Sequence, residues 1–116
     1  DMLFMGDAGI SAYDEIKDEL RNDIEVLKVG HHGGPNVVNK EMTDRMNTKV
    51  SIISTGPNSF GHPNKGTLDV LRGTDIYRTD RHNSIKITSD GKKYSVLLFN
   101  PQKHKYEFFQ KYLSNL

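Results

Sequence analysis

Val26-Leu27-Lys28-Val29-Gly30-His31-His32-Gly33-Gly34-Pro35 is the stretch on which the reading of this chain turns. The run from Ile24 to Gly30 is short, apolar and β-branched, the pattern of a strand buried in a sheet, and it stops abruptly on two histidines, two glycines and a proline. Upstream, Met2-Leu3-Phe4-Met5 is a second such run, ended by Gly6-Asp7-Ala8-Gly9. Between the two, Ser11 offers an N-cap, Asp14 and Glu15 fall in the first turn, and Tyr13, Ile16 and Leu20 recur at helical spacing as far as Arg21-Asn22, which predicts an amphipathic helix of about three turns.

Downstream the alternation continues. Val38, Met42 and Met46 share one helical face, Val50 to Thr55 is a third strand, and Gly56-Pro57-Asn58-Ser59-Phe60-Gly61-His62-Pro63 is the loop at its end. Thr67, Leu68 and Leu71 mark a short helix with Gly73 as its C′ residue, and Ile76 to Thr79 is a fourth strand. Ile85 and Ile87 alternate with Lys86 and Thr88, Ser89-Asp90-Gly91-Lys92 turns, and Tyr94 to Phe99 returns, giving a closing β-hairpin. Strands and helices in this order predict an α/β fold, a sheet with helices on its outer face. No repeat or linker interrupts it, so residues 1–116 are read as a single domain, with a core over 2–99 and a basic aromatic tail over 100–116.

Composition narrows the chemistry. With 116 residues, 34% hydrophobic and 27% charged, the chain has the make-up of a folded domain. The absence of Cys removes disulfides, a thiolate nucleophile and Cys-built zinc sites, so any metal must sit on His and carboxylates. No apolar run has the roughly 18 residues a membrane span needs. Sixteen Lys and Arg against fifteen Asp and Glu are too balanced to signal nucleic-acid binding by total charge. The ends differ, however: residues 1–25 hold eight acids against Lys17 and Arg21, read as a solvated helix face, while residues 92–116 hold five Lys against Glu107 alone. The tail from Lys103 to Leu113 interleaves aromatics with Lys, as single-strand nucleic-acid platforms do, but it also fits a terminal amphipathic helix docking Phe109 and Tyr112 or Leu113, and that helix is the expectation.

In a layered sheet, functional groups collect in loops beyond the strand ends. Three loops qualify here, those bearing Asp7, His31-His32 and His62, and a carboxylate with imidazoles on one edge suits a divalent cation, zinc first and manganese or iron next. On spacing alone, Asp7 after Gly6 reads first as an Asx turn, and His62 between Gly61 and Pro63 also fits a loop-shaping role. Gly33-Gly34 beside the histidines lets the backbone approach something closely. His82 and His104 read as solvated. A Ser59-His31-Asp7 triad lacks the strand-turn-helix elbow that a nucleophilic Ser needs.

Taken together, Leu-Phe-Met-Gly-Asp at 3–7, Val-Leu-Lys-Val-Gly-His-His-Gly-Gly at 26–34, Ser-Ile-Ile-Ser-Thr-Gly-Pro-Asn-Ser-Phe-Gly-His-Pro at 51–63 and Ile-Tyr-Arg-Thr-Asp at 76–80 resemble the metallo-β-lactamase fold. More narrowly, they resemble the C-terminal half of the hydrolase domain of ComEC-type DNA-internalisation competence proteins and related phosphodiesterases. The resemblance implies half of an αβ/βα sandwich and a metal-dependent phosphodiester hydrolase. It implies that Asp7 bridges two divalent ions, zinc or manganese, and that the His31-His32 pair holds the last histidine ligand, with His32 preferred and His31 turned toward substrate or a supporting role. It implies that His62, with Asn58 in the same loop, lies near the substrate, and that Arg78, Thr79 and Asp80 brace the site, Arg78 being a possible phosphate clamp. A parent of this kind would be membrane-bound with this domain outside the cytoplasm.

The chain also departs from that pattern. The family's first ligand motif, His-x-His-x-Asp-His, is absent, and the only histidine pair is adjacent. Asp7 with one or two histidines cannot give two metals four or five ligands each. The expectation is therefore half an active site, binding metal weakly or not at all alone, whose partners are the missing N-terminal half, a DNA or other phosphodiester substrate, and a second copy on the exposed half-sandwich face. The competing class is a non-catalytic binding or regulatory module that keeps the fold without the site. A self-contained mononuclear hydrolase on Asp7, His31, His32 and His62 ranks last.

Overall fold

The computed structural model describes residues 1–114. The chain runs β1 (Met2–Phe4), α1 (Ile10–Ile16), β2 (Val26–Lys28), α2 (Lys40–Met46), β3 (Val50–Ile53), α3 (Lys65–Val70), β4 (Asp75–Arg78), α4 (Thr79–His82), β5 (Ile85–Ser89), β6 (Lys93–Asn100) and β7 (Lys105–Leu113). β1 to β4 form one parallel sheet in chain order, and β5 to β7 form a separate antiparallel sheet, so the fold is mixed α/β.

The parallel strands lie level with one another: Met2, Val26, Val50 and Asp75 share one row, and Phe4, Lys28, Ile52 and Tyr77 another. Because successive residues face opposite sides, each strand divides its side chains between two layers. Leu27, Val29 and Ile53 pack beneath the helices with Tyr13, Met42, Met46 and Leu71. Val26, Val50 and Tyr77 pack on the other side with Tyr94 and Val96, flanked by Ile85, Ile87, Leu98 and Tyr112 of the antiparallel sheet. Leu27, Ile53 and Leu71 are each essentially buried, which stabilises the fold by about 1.5–3 kcal/mol apiece.

The helices start where short polar side chains or tertiary contacts allow. Asn39 caps α2 by accepting from the Met42 N–H at 2.9 Å, and α2 ends on Asn47 in the left-handed region, φ 52°. Asn64 caps α3 through the Gly66 N–H, also at 2.9 Å. The expected Ser11 cap is not used. Gly9 occupies that position because its backbone lies hard against Asn36, where a Cβ would come within 2.9 Å of the carbonyl oxygen, and the helix begins at Ile10. It is also shorter than predicted, passing into a 3₁₀ turn over Lys17–Glu19. Gly73 ends a 3₁₀ turn, Leu71–Gly73, and is not a left-handed C′ residue.

The largest difference from expectation is the tail. Instead of a helix, Lys105–Leu113 forms β7, paired along β6, so the closing hairpin is a three-stranded sheet. A bulge between Val96 and Leu97 sets Leu97 opposite Phe108 and Val96 opposite Gln110, leaving Phe109 as the extra residue. Of the residues expected to dock, Tyr112 reaches the interior, stacking on Tyr94 at 5.0 Å, whereas Phe109 is 54% exposed with its ring edge-on to Tyr77 at 5.7 Å, and Leu113 is exposed. Among the described residues no helix is long and apolar enough to cross a membrane.

Candidate functional site

All four parallel strands deliver their carboxyl ends to one edge of the sheet, the edge at which open α/β sheets bind ligands. Gly6-Asp7 follows β1, His31-His32 follows β2, the Ser54–Pro63 loop follows β3, and Thr79-Asp80 follows β4. Three hydrogen-bonded links join these loops in series. The His31 N–H donates to the Gly6 carbonyl at 2.8 Å, and His32 Nδ1 lies 2.7 Å from the Ser54 carbonyl oxygen. The Thr79 hydroxyl accepts the Thr55 N–H at 2.8 Å and donates to the Thr55 carbonyl at 2.7 Å.

The His32 contact fixes its tautomer. A backbone carbonyl only accepts, so Nδ1 carries a proton, and of the two neutral tautomers the contact selects the one whose lone pair is on Nε2, the form in which histidine binds a metal. The two histidines do not continue the strand: they lie in a 3₁₀ turn, His31–Gly33, with φ of 47° and 57°. Strand alternation therefore does not separate them, and the distinction between them rests on the Ser54 bond. Left-handed backbone at two consecutive non-glycine residues costs about 1–2 kcal/mol each, and such strain concentrates at functional sites.

The glycines around the pair bring the loops together. A Cβ on Gly30 would stand 2.0 Å from the Ala8 carbonyl oxygen, and one on Gly34 would stand 2.9 Å from His62 Nε2. His62 is half-buried, with its ring 5.6 Å from that of His31 and 5.8 Å from that of Phe60. His31 and His32 are exposed, their rings 6.2 Å apart. Asn58 is occupied within its own loop: its amide donates to the Gly56 and His62 carbonyls at 2.9 and 2.8 Å, and its oxygen accepts from the Phe60 and His62 N–H groups at 3.0 and 3.1 Å.

Asp7 is exposed, and its carboxylate makes no hydrogen bond or ion pair among the described residues, so the Asx-turn reading is not realised. Among the described residues no three His, Asp or Glu side chains converge as a metal cage would. Arg78 forms a two-pronged bridge to Asp80, Nε to Oδ1 at 3.0 Å and Nη2 to Oδ2 at 2.8 Å, and that guanidinium holds the Asp80 carboxyl below its ordinary pKa. Arg78 lines a cleft of about 770 Å³ beside β4 and β7, which does not include the histidine cluster. His82, expected in solvent, is instead half-buried, its Nδ1 accepting the Arg78 N–H at 2.9 Å and its ring 5.7 Å from Tyr77.

Sequence reasoning missed Lys28 and the Ser54 carbonyl. Lys28 is half-buried at the carboxyl end of β2 and lines a 360 Å³ cleft with Ser54 and Thr79. A lysine inside an otherwise apolar strand was its signal; a main-chain acceptor leaves none.

No family model and no solved structure matches the chain. Among curated proteins, ComE operon protein 3 of Bacillus subtilis (strain 168) is 32% identical over 88 residues, a match covering 72% of this chain and 11% of that protein. The chain thus spans about a tenth of the relative's length, and over most of its own length it is similar to a protein named for the ComE operon.

Proposed function

We propose that this chain is the C-terminal half of a metal-dependent phosphodiester hydrolase of the metallo-β-lactamase fold, completed by a segment outside these 116 residues. The observation that carries the reading is the preset tautomer of His32, whose Nε2 lone pair is free at the same sheet edge as the unpaired Asp7 carboxylate. The donors fit zinc or manganese in kind but not in number, since a zinc centre takes about four ligands. His32 Nε2 and Asp7 would hold the cation, His31 being the other imidazole in reach, and the upstream segment would supply the remainder. Bound there, the cation would lower the pKa of a coordinated water and polarise the phosphoryl oxygens.

The other residues act without the metal as intermediary. His62, held against His31 by the Asn58 brackets, is placed to contact the phosphate or to protonate the leaving alkoxide. Asn58 is a positioning residue. Arg78, engaged by Asp80, is given a bracing role together with Thr79. Similarity to a competence-operon protein supports DNA among the possible diesters. The second reading, a non-catalytic module, is favoured by one observation: the absence of three converging donors among the described residues.

The test uses the chain alone and a longer chain extended upstream, in which this reading expects a His-x-His-x-Asp-His motif. Calorimetry with zinc and manganese should show weak or no binding to the chain alone. The longer chain should bind metal and hydrolyse a chromogenic phosphodiester, with Asp7→Ala and His32→Ala each lowering activity by more than about a hundredfold. Tight stoichiometric binding to the chain alone would overturn the half-site, and hydrolysis undiminished in His32→Ala would overturn the ligand assignment.

A further inference from the structure

The outer face of the antiparallel sheet has a composition that neither the core nor the histidine edge explains. Alternation along β5, β6 and β7 puts Ile85, Ile87, Tyr94, Val96, Leu98 and Tyr112 inside, which turns Lys86, Lys93, Leu97, Phe99, Tyr106, Phe108 and Lys111 outward. Phe108 is 63% exposed and Tyr106 41%. Phe99 and Tyr106, opposite each other on β6 and β7, meet edge-on at 5.3 Å, and Lys86 Nζ sits 5.5 Å above the Tyr106 ring. Leu97 stands opposite Phe108 and is half-buried.

The strands of this face turn lysines outward and no carboxylate. Lys86 lies over Tyr106, Lys111 follows Phe108 along β7, and Lys93 stands at the far end of the face opposite Leu113, with Asp90 of the turn beside it. Glu107 faces the other way, accepting from the Asn100 amide at 2.5 Å and pairing with Lys103, while Asp90 lies in the turn, where it accepts the Lys92 and Lys93 N–H groups at 2.9 Å. Exposed rings interrupted by lysines do not resemble the centre of a protein interface, where Lys is depleted. They match a surface on which unstacked bases lie on aromatic faces while ammonium groups meet the phosphates between them.

We propose that this face binds single-stranded nucleic acid, with Phe108, Tyr106 and Phe99 as the stacking surface and Lys86, Lys93 and Lys111 as the phosphate contacts. The platform is separate from the carboxyl edge of the parallel sheet and does not rest on the hydrolytic reading. Recognition is indifferent to base sequence, because every base offers a ring face, and it excludes duplexes, whose bases are already stacked. DNA and RNA share this chemistry.

The experiment is fluorescence anisotropy of labelled oligothymidylate and oligouridylate, each of about ten nucleotides, titrated with the full chain in EDTA so that metal plays no part. Binding to the single strands should exceed binding to a duplex of equal length, and the preferred strand distinguishes DNA from RNA. With about three phosphates neutralised, affinity should fall about tenfold between about 50 and about 150 mM salt. Phe108→Ala and Tyr106→Ala should each weaken binding by about tenfold. Lys86→Ala combined with Lys111→Ala removes two exposed side chains, and should weaken binding and lower the salt slope by about 1.4. Phe4→Ala and Lys49→Ala, an exposed ring and an exposed lysine elsewhere, should leave binding unchanged. No binding at the lowest salt, equal binding of duplex, or affinity that survives the ring and lysine variants overturns the proposal. So does self-association of the chain that Phe108→Ala abolishes, which would make this face an interface between copies.

Discussion

Tyr94 is almost wholly buried between the two sheets, and its hydroxyl has no hydrogen-bond partner among the described residues. Burial pushes its pKa up to about 12, whereas in the unfolded chain it ionises near 10. Between those values the unfolded state has released a proton that the folded state retains, so stability falls as pH rises from about 10 toward about 12. Tyr94→Phe should be neutral within about 1 kcal/mol at pH 7, since it removes an unsatisfied polar group, and should flatten the alkaline loss in urea melts. Melts of equal slope across that range would show that the hydroxyl is not desolvated. At this scale the sequence was legible in residue type and illegible in pairing. The run His31-His32-Gly33-Gly34 announced a close approach, and Gly34 does stand against His62. The acceptor that sets the His32 proton lies 22 residues away on the main chain, which carries no side-chain signal.

At the scale of elements, the strands and helices up to Phe99 could be read from their apolar residues, except α4 over Thr79–His82, a polar stretch that was read as the end of a strand and a turn. β7 could not, because the bulge breaks its alternation. Phe108 faces solvent and Tyr112 faces the core although they are separated by an even number of positions, so neither a strand period nor a helix period holds through the segment. What decides its structure is pairing with β6 and a link to β4: the Tyr77 hydroxyl lies 2.6 Å from that of Tyr112, which donates to Asp75 at 2.7 Å. Tyr112→Phe leaves the ring on Tyr94 and deletes both bonds. It should cost about 1 kcal/mol in urea denaturation, and an unchanged midpoint would show that ring packing alone holds the strand.

For the whole molecule, layering followed from the order of elements, whereas a donor set beyond Asp7 and His32 was not legible, and among the described residues no three His, Asp or Glu side chains converge. β1 is the outer strand of the parallel sheet and leaves apolar side chains exposed there. Met2 and Phe4 of β1 and Ile85 and Ile87 of β5 line an apolar cleft of about 360 Å³ between the sheets, and Phe4 is 73% exposed. Sedimentation of the chain should show mass increasing with concentration, and Phe4→Glu should abolish the increase. A wild-type chain that stays monomeric would show that this edge is not adhesive. The extra residue in β7 has its own consequence for kinship among such chains. Phe109 shifts the phase of the strand, so a chain lacking that one position presents the same two faces in the same register. A single insertion or deletion elsewhere in β7 would turn part of the strand inside out, so length variation in relatives should gather at this one position.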